Sequence, residues 1–538
     1  MFPVGASSLW SWWWTTNKKS DETCRNILTT LVPLFTILCF VFLTKKRNHQ
    51  NAPPPPPPPG PRGLPLIGYL PFLNPNLHHG FKDLANKYGP IFRIWLGKQE
   101  CIIISSPSLV QQVVKEQDAI FANRVPNIAA QSVMFGSLDI AFADYNDEWR
   151  KMRKIFASEM LSRSNLDATY NLRKQHVNKM LKEIYKASTS KGVVDIGEVV
   201  FGTLMSSIMS MVWGDVFEED DKGCSVINSE FRSNVNKQLE LLGTPNVSDL
   251  FPLLAWFDLQ GIASQMKRIS RRSGQIFDLA INHCVNGVYN EQNHFLGYLL
   301  TLTKGEDPKR SLTLPQVKGM LMDVIIGGTD TSISMVEWAM AEILQHPKVL
   351  EKVQEELREM VGLNTRVEES DIPKLKYLNA VIKEVLRLHP PVPLLVPHSP
   401  SKASTIGGYS ISKGASVFLN IYTIHRDPQL WEDPLLFRPE RFLNGSSAAV
   451  IDYLGNHFQF LPFGSGRRIC AGIPLAERMS ILVLASLLHG FQWELPKGVT
   501  QVDLSEKFGI VVKKQKPLLL VPTPRLSSFE LYSLSLQV

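Results

Sequence analysis

The chain has 538 residues, with 57 lysines and arginines against 50 aspartates and glutamates, a net charge of +7. Hydrophobic residues at 44% and charged residues at 20% exclude a disordered chain, and a single long uncharged apolar run excludes a polytopic membrane protein. Six scattered cysteines without a C-x-x-C pair exclude a disulfide scaffold and a zinc ribbon, and so mild a charge gives no reason to expect nucleic acid.

The first element is a membrane anchor. Asn26 to Thr44 carries no charge and spans about 28 Å as a helix, close to the roughly 30 Å of a hydrocarbon core. Trp10, Trp12, Trp13 and Trp14 precede it at headgroup level. Lysine and arginine counts balance on its two sides. The compact Lys45-Lys46-Arg47 cluster places residues 1–25 in the lumen and the body in the cytosol. A cleaved signal peptide is the competing reading, but basic rather than small residues follow the run. Residues 45–65 read as a basic, Pro-rich hinge whose Pro53–Pro59 run favours a stiff polyproline II spacer over an SH3-type ligand.

From residue 66 to 538 no second linker or repeat appears. Helices are expected over Gln316–Gln345 (stopped by Pro347), Lys348–Met360, Leu375–Leu388 (stopped by Pro390-Pro391) and Ala476–Trp493. Short strands are expected at Ile91–Trp95, Cys101–Ile104, Ser416–Ile421 and Leu518–Val521. The fold class is mostly α with small β-sheets. Signatures of P-loop, dinucleotide, zinc-hydrolase and serine-hydrolase sites are missing from the sequence.

The segment Phe463-Gly464-Ser465-Gly466-Arg467-Arg468-Ile469-Cys470-Ala471-Gly472 reads F-x-x-G-x-R-x-C-x-G. Gly466 permits a sharp turn, and Gly472 permits close packing against a flat cofactor. Backbone N–H groups beyond Cys470, with Arg468 nearby, favour thiolate over thiol, and a thiolate is a soft metal ligand. A buried structural cysteine is the alternative. Gly327-Gly328-Thr329-Asp330-Thr331-Ser332 puts two glycines inside a helix, each costing about 1 kcal/mol against alanine, so they require a reason such as a widened groove. A helix N-cap competes as a reading of Asp330 and Thr331. Glu384 and Arg387 share a helix face at i, i+3, and Phe437-Arg438-Pro439-Glu440-Arg441-Phe442 follows. Trp149 and Arg153 stand one helical turn apart.

Together, and in this order, these motifs resemble the cytochrome P450 family of haem-thiolate monooxygenases, from the anchor to the C-terminus. The resemblance implies the P450 fold and haem b, with Cys470 as axial iron ligand. It makes Asp330 and Thr331 the acid–alcohol pair that delivers protons for O–O cleavage. It places Trp149, Arg153, Gly328, His398, Phe463, Gly466, Arg468 and Gly472 around the haem, and Glu384, Arg387 and Arg441 in a buried structural triad. The partners implied are O2, NADPH-cytochrome P450 reductase docking on a basic patch of Arg150, Lys151, Arg153, Lys154 and Arg467, membrane lipid, and a small apolar substrate. The location implied is the endoplasmic reticulum membrane.

Short segments, such as Phe251-Pro252-Leu253-Leu254 and Phe508–Lys514, resemble the plant A-type subgroup that contains cadinene hydroxylase and valencene oxidase. That subgroup also holds flavonoid hydroxylases. Substrate is expected to meet residues 121–145, Met322–Ile326, Val392–Val396 and Phe508–Val511. These mostly apolar segments favour a terpenoid, with a flavonoid or phenolic as the alternative. A haem-binding sensor or carrier is the reading from another class. It keeps Cys470 but has no use for the acid–alcohol pair.

Overall fold

The computed structural model describes residues 55–214, 222–285, 294–305 and 307–533. The expected lumenal segment and the anchor at 26–44 lie outside the described residues. The described residues from Pro56 onward form one compact unit.

That unit starts earlier than residue 66, because the end of the Pro-rich hinge is stitched to the body. A proline lacks the N–H donor but keeps its carbonyl acceptor. The Pro59 carbonyl accepts from Arg93 N–H at 2.8 Å, and the Pro56 carbonyl accepts from Ser410 N–H at 2.9 Å.

We label the helices that position the site α1 (Leu77–Tyr88), α2 (Asp147–Ile155), α3 (Ile196–Trp213), α4 (Leu314–Gln345), α5 (Lys376–Leu388) and α6 (Ile473–Gly490). Helix α4 is the axis of the body. Its 32 residues span about 48 Å at 1.5 Å per residue. Thr313 and Gln316 close its N-terminus in a reciprocal capping box, and it stops at His346, before Pro347. Apolar residues run round most of its circumference, so it is enclosed by neighbours, α3 and α6 among them. Both of these helices are long and apolar enough to cross a membrane, yet 67% of α3 and 78% of α6 are buried, which makes them core.

Helix α6 begins and ends three residues before the expected Ala476–Trp493. Gly472 caps it, Pro474 sits in its first turn, and Gly490 is its last residue. The next four residues, Phe491–Glu494, form a strand that buries Phe491 and Trp493 alternately, a period of two.

The strands, β1 to β10 in chain order, make small sheets. Strand β1 (Ile91–Leu96) pairs antiparallel with β2 (Gln99–Ile104) in the register Ile91↔Ile104. Strand β2 pairs parallel with β6 (Ser416–Leu419). This strand stops short of the expected Ile421, which opens a one-turn helix capped by Asn420. Strand β10 (Leu519–Pro524) lies between β3 (Val194–Asp195) and β7 (Phe491–Glu494). Two hairpins complete the set: β4–β5 (Ser404–Ile406, Tyr409–Ile411) and β8–β9 (Glu506–Lys507, Lys513–Lys514).

One ionic cluster ties α5 to the coil before α6. The Glu384 carboxylate accepts two parallel bonds from Arg387, both 2.8 Å, and two from Arg441 Nε at 3.1 and 3.0 Å. The other guanidinium nitrogens reach backbone carbonyls, including His425 and Pro434 for Arg387 and Glu432 for Arg441. Glu384 and Arg387 are fully buried and Arg441 is 6% exposed. Removing one partner from such a cluster costs about 3–5 kcal/mol, because it strands the others.

Candidate functional site

A cavity of about 320 Å³ lies between α4 and the loop that carries Cys470. That loop is closed by its own backbone, since Cys470 N–H donates to the Phe463 carbonyl at 2.9 Å. Gly464 and Gly466 turn it with φ of +72° and +67°. A side chain at Gly466 is excluded outright, because its Cβ would lie 2.1 Å from the Val114 carbonyl oxygen. Cys101 and Cys284 are buried core thiols, whereas Cys470 is exposed into the cavity.

The Gly472 N–H donates to the Cys470 sulfur at 3.3 Å. Burial pushes this thiol up, while the N–H groups of Gly472 and Ile473 and the positive charge of Arg153 pull it down. The cation serving the sulfur is therefore Arg153 rather than Arg468. Arg153 also donates to the Ile469 carbonyl. It faces the cavity and drops out of the expected surface patch, where Arg150 pairs with Asp147, Lys151 with Glu148 and Arg467 with Asp118.

Opposite the sulfur, α4 presents Gly327, Thr331 and Met335 at helical spacing. The two glycines differ. A Cβ at Gly327 would project into open space, whereas one at Gly328 would meet Ile208 Cδ1 at 3.0 Å. The groove comes from Gly327. Gly328 also borders the cavity, but what its missing side chain permits is close approach of α3. Thr331 Oγ1 donates to the Gly327 carbonyl at 2.7 Å. Asp330 does not line the cavity. Its carboxylate, 3% exposed, turns to the side and pairs with the Lys513 ammonium.

The third wall is basic. Helix α2, capped by Asn146, brings Trp149 and Arg153. The Trp149 indole N–H donates to the Ile140 carbonyl at 2.9 Å, and its ring lies 4.3 Å under the Arg468 guanidinium. Arg468 donates to the carbonyls of Ala122 (2.6 Å), Ile140 (2.9 Å) and Ala143. His398 gives its Nδ1 proton to the Phe121 carbonyl at 2.9 Å.

Arg124 joins this wall and was missed in the sequence. It donates to the Pro397 carbonyl at 2.9 Å, and its buried Nε has no partner. Among the described residues, Arg124, Arg153 and Arg468 form no ion pair with a carboxylate. Burial pulls the guanidiniums of Arg124 and Arg153 down and that of Arg468 to about 10. Burial and the neighbouring arginines also hold His398 well below the usual histidine range. Three guanidiniums with no carboxylate in direct contact, beside a sulfur and a glycine groove, fit a flat metal macrocycle that carries carboxylates.

Much of the remaining lining is apolar, including Val324, Ile382, Leu386, Val392, Leu395 and Val396, with Asp323, Ser332, Ser480 and Glu477 among its polar members. Parts of two expected contact segments lie elsewhere. Met322 and Ile325 point into the core, one helical step away from the cavity face. Phe508 stacks on His78 with centroids 5.3 Å apart, against α1.

Fold and site define a haem-dependent oxygenase, and the chain belongs to the cytochrome P450 family, whose model matches residues 58–521. It is a P450 monooxygenase, and haem is its cofactor. It is 38% identical over 475 residues to a flavonoid 3'-monooxygenase of Arabidopsis thaliana, covering 87% of this chain and 91% of the relative. It is 36% identical to a flavonoid 3',5'-hydroxylase of Campanula medium, covering 87% and 91%. It is also 36% identical to a carnosic acid synthase of Salvia pomifera, covering 86% and 93%. A zebrafish cytochrome P450 solved with progesterone superposes with a TM-score of 0.71 at 26% identity, covering 83% of this chain and 99% of that one. These similarities do not support the expected sesquiterpene-hydroxylase subgroup. Of the short segments that suggested it, residues 251–254 and 508–514 lie outside the cavity lining.

Proposed function

We propose that the chain hydroxylates a flavonoid or related phenolic, anchored in the endoplasmic reticulum membrane with its body in the cytosol. The terpenoid preference gives way because flavonoid hydroxylases recur among relatives matched over most of the chain. Apolar walls with Thr331 and Ser332 on the α4 side suit a ligand with apolar faces and few hydroxyls.

The observation that carries the proposal is the single cavity shared by Cys470, Thr331 and the basic wall. Cys470 supplies a thiolate ligand, steadied by the Gly472 N–H and Arg153. Arg124, Arg153 and Arg468 would hold the cofactor's carboxylates, while His398, neutral and committed through Nδ1 to the Phe121 carbonyl, backs that wall. Haem, when bound, supplies the iron that binds and activates dioxygen. Gly327 leaves room at that face, and Thr331 and Asp330 pass protons. The net reaction is RH + O2 + NADPH + H⁺ giving ROH + H2O + NADP⁺, with electrons delivered by a reductase.

Reduction of the purified protein under carbon monoxide is expected to give the red-shifted Soret band of thiolate ligation, and Cys470→Ala to abolish it. A band in the unshifted position would remove Cys470 as ligand. A low-to-high-spin shift is expected with flavonoids; a shift with terpenes alone would restore the terpenoid reading.

A second apolar surface favours the membrane location. Leu253, Trp256 and Phe257 are 86%, 92% and 70% exposed on one short helix. Topology is testable at Asn444, an exposed sequon. The other sequon residue, Asn246, is buried as a helix cap and is no acceptor in the folded chain. A cytosolic body leaves Asn444 without glycan; glycan there would reverse the orientation.

A further inference from the structure

Two histidines and a glutamate meet at one point outside the cavity lining. His78 and His79 are consecutive on α1, where successive side chains leave the axis about 100° apart. Their rings nevertheless converge, with centroids 4.4 Å apart. His78 Nε2 lies 2.8 Å and His79 Nε2 2.5 Å from one carboxylate oxygen, Oε1 of Glu506 on β8. One ligand atom from each residue lies within 4.8 Å of the other two. Aromatic rings hold this arrangement. Tyr422 packs edge-on against His78 with centroids 4.6 Å apart, and Phe508 stacks on the same ring. The Tyr422 hydroxyl lies 2.9 Å from His79 Nε2.

Solvent ions have access to the cluster, since the His79 and Glu506 side chains are 38% and 17% exposed. Arg426 stacks on Tyr422, 3.8 Å from the ring centroid, and the exposed Asp83 stands one turn beyond His79. These two charges offset each other, so Glu506 supplies the net negative charge. Two imidazoles and a carboxylate are ligands that zinc takes in sites with a fourth position open to water. Ligand atoms of a tetrahedral zinc shell stand about 3.3 Å apart, so Glu506 withdraws by less than about 1 Å to admit the ion. Each ring then binds as neutral imidazole, with its proton on the other nitrogen. For His78 that nitrogen, Nδ1, is buried without a partner. The lack of such an outer bond weakens a metal site roughly 10–100-fold, which marks an exchangeable ion rather than a permanent one.

We propose that His78, His79 and Glu506 form an exchangeable site for a zinc-type divalent cation, a clasp between α1 and the β8–β9 hairpin. The ion takes lone pairs from two nitrogens and one oxygen. No covalent bond of the chain breaks, and no electron is transferred. The clasp bears on the haem cavity through the far side of the hairpin. Val512, next to β9, donates its N–H to the carbonyl of Pro391 at 2.8 Å, and Pro391 lines the cavity. Cys470, Thr331 and the basic wall take no part in holding the ion, so the site is independent of the substrate proposed above.

The test uses untagged full-length holoenzyme, washed with a chelator and dialysed against buffered zinc. Zinc is counted per haem iron by mass spectrometry. One zinc per iron is expected, removable by chelator with the carbon monoxide band kept. His79→Ala and Glu506→Gln are expected to weaken zinc binding at least about a hundredfold, each with the carbon monoxide band kept. His283→Ala, at an exposed histidine elsewhere, is expected to leave it unchanged. Magnesium and calcium, which prefer oxygen ligands, should not displace the zinc. A local signature is trypsin cleavage after Lys507, the exposed β8 residue next to Glu506. With zinc at about ten times its Kd, cleavage that requires the clasp to open slows about tenfold. Glu506→Gln, which keeps the size of the side chain, should lose that protection. Native holoenzyme without bound zinc, equal zinc in Glu506→Gln, displacement by magnesium, or unslowed cleavage after Lys507 would overturn the clasp.

Discussion

Two groups of arginines in this molecule, one buried and one half-buried along the cavity, are opposites. In the triad, Glu384 neutralises Arg387 and Arg441 with direct bonds, and backbone carbonyls satisfy the remaining donors. On the cavity wall, Arg124, Arg153 and Arg468 reach only carbonyls, and one Arg124 donor reaches nothing. The first group is complete within the chain and holds α5 to the coil before α6. The second is incomplete and belongs to a ligand. A buried charge that the protein itself leaves unpaired is thus more informative about function than one that it pairs.

The strongest test of this contrast is Glu384→Gln, which leaves two guanidiniums without their counter-charge. A loss of about 3–5 kcal/mol is expected, seen as a lower urea midpoint and poor haem incorporation. The opposite pattern is expected at the wall. Arg124→Met removes an uncompensated charge, so apo-protein stability should hold or rise by about 1–3 kcal/mol. Haem should dissociate faster, with roughly 10–100-fold weaker retention for the loss of a charge-assisted bond. A fall in apo stability as large as that of Glu384→Gln would erase the distinction.

The acids beside the wall give a test in pH. Burial raises the Asp139 carboxyl to about 6, and burial together with Asp139 raises Asp323 well above the carboxylate range. Both are held above their unfolded values, so the folded state binds the extra protons. Stability of the apo chain is therefore favoured in acid, and it falls as pH rises from about 4 to about 6 for Asp139. Asp139→Asn should flatten that fall in a plot of melting temperature against pH. A steeper fall in the variant would show that the carboxylate stabilises the arginines it faces.

The smallest effect is expected from Gly327→Ala. The added methyl meets open space, so the helix should gain up to about 1 kcal/mol. The same methyl narrows the cavity, and binding titrations should show only a few-fold shift in substrate affinity. Gly328→Ala, pressed against Ile208, should destabilise instead.

What the sequence revealed divides along similar lines. Cys470, Thr331 and the Glu384–Arg387 pair stand in short motifs whose spacing is set by one turn or one loop, so their chemistry can be read locally. Arg124 and Lys513 lie far in sequence from the groups they meet, and no local spacing marks them. Asp330 was legible as an acid, but its direction depends on a strand more than 180 residues further on. Met322 and Ile325 were read as lining because they are apolar. On a helix buried all round, composition cannot tell the cavity face from the core face, and only the phase that brings Val324, Gly327 and Thr331 together does so.

Gly466 has a consequence for how such an enzyme diversifies. Its position admits no side chain, since the Val114 carbonyl occupies the place where a Cβ would be. The cysteine loop is therefore closed to drift, while the opposite face at Gly327 has space to spare. A side chain added at Gly327 reshapes the cavity without moving the backbone, whereas one at Gly466 must displace the loop that holds Cys470.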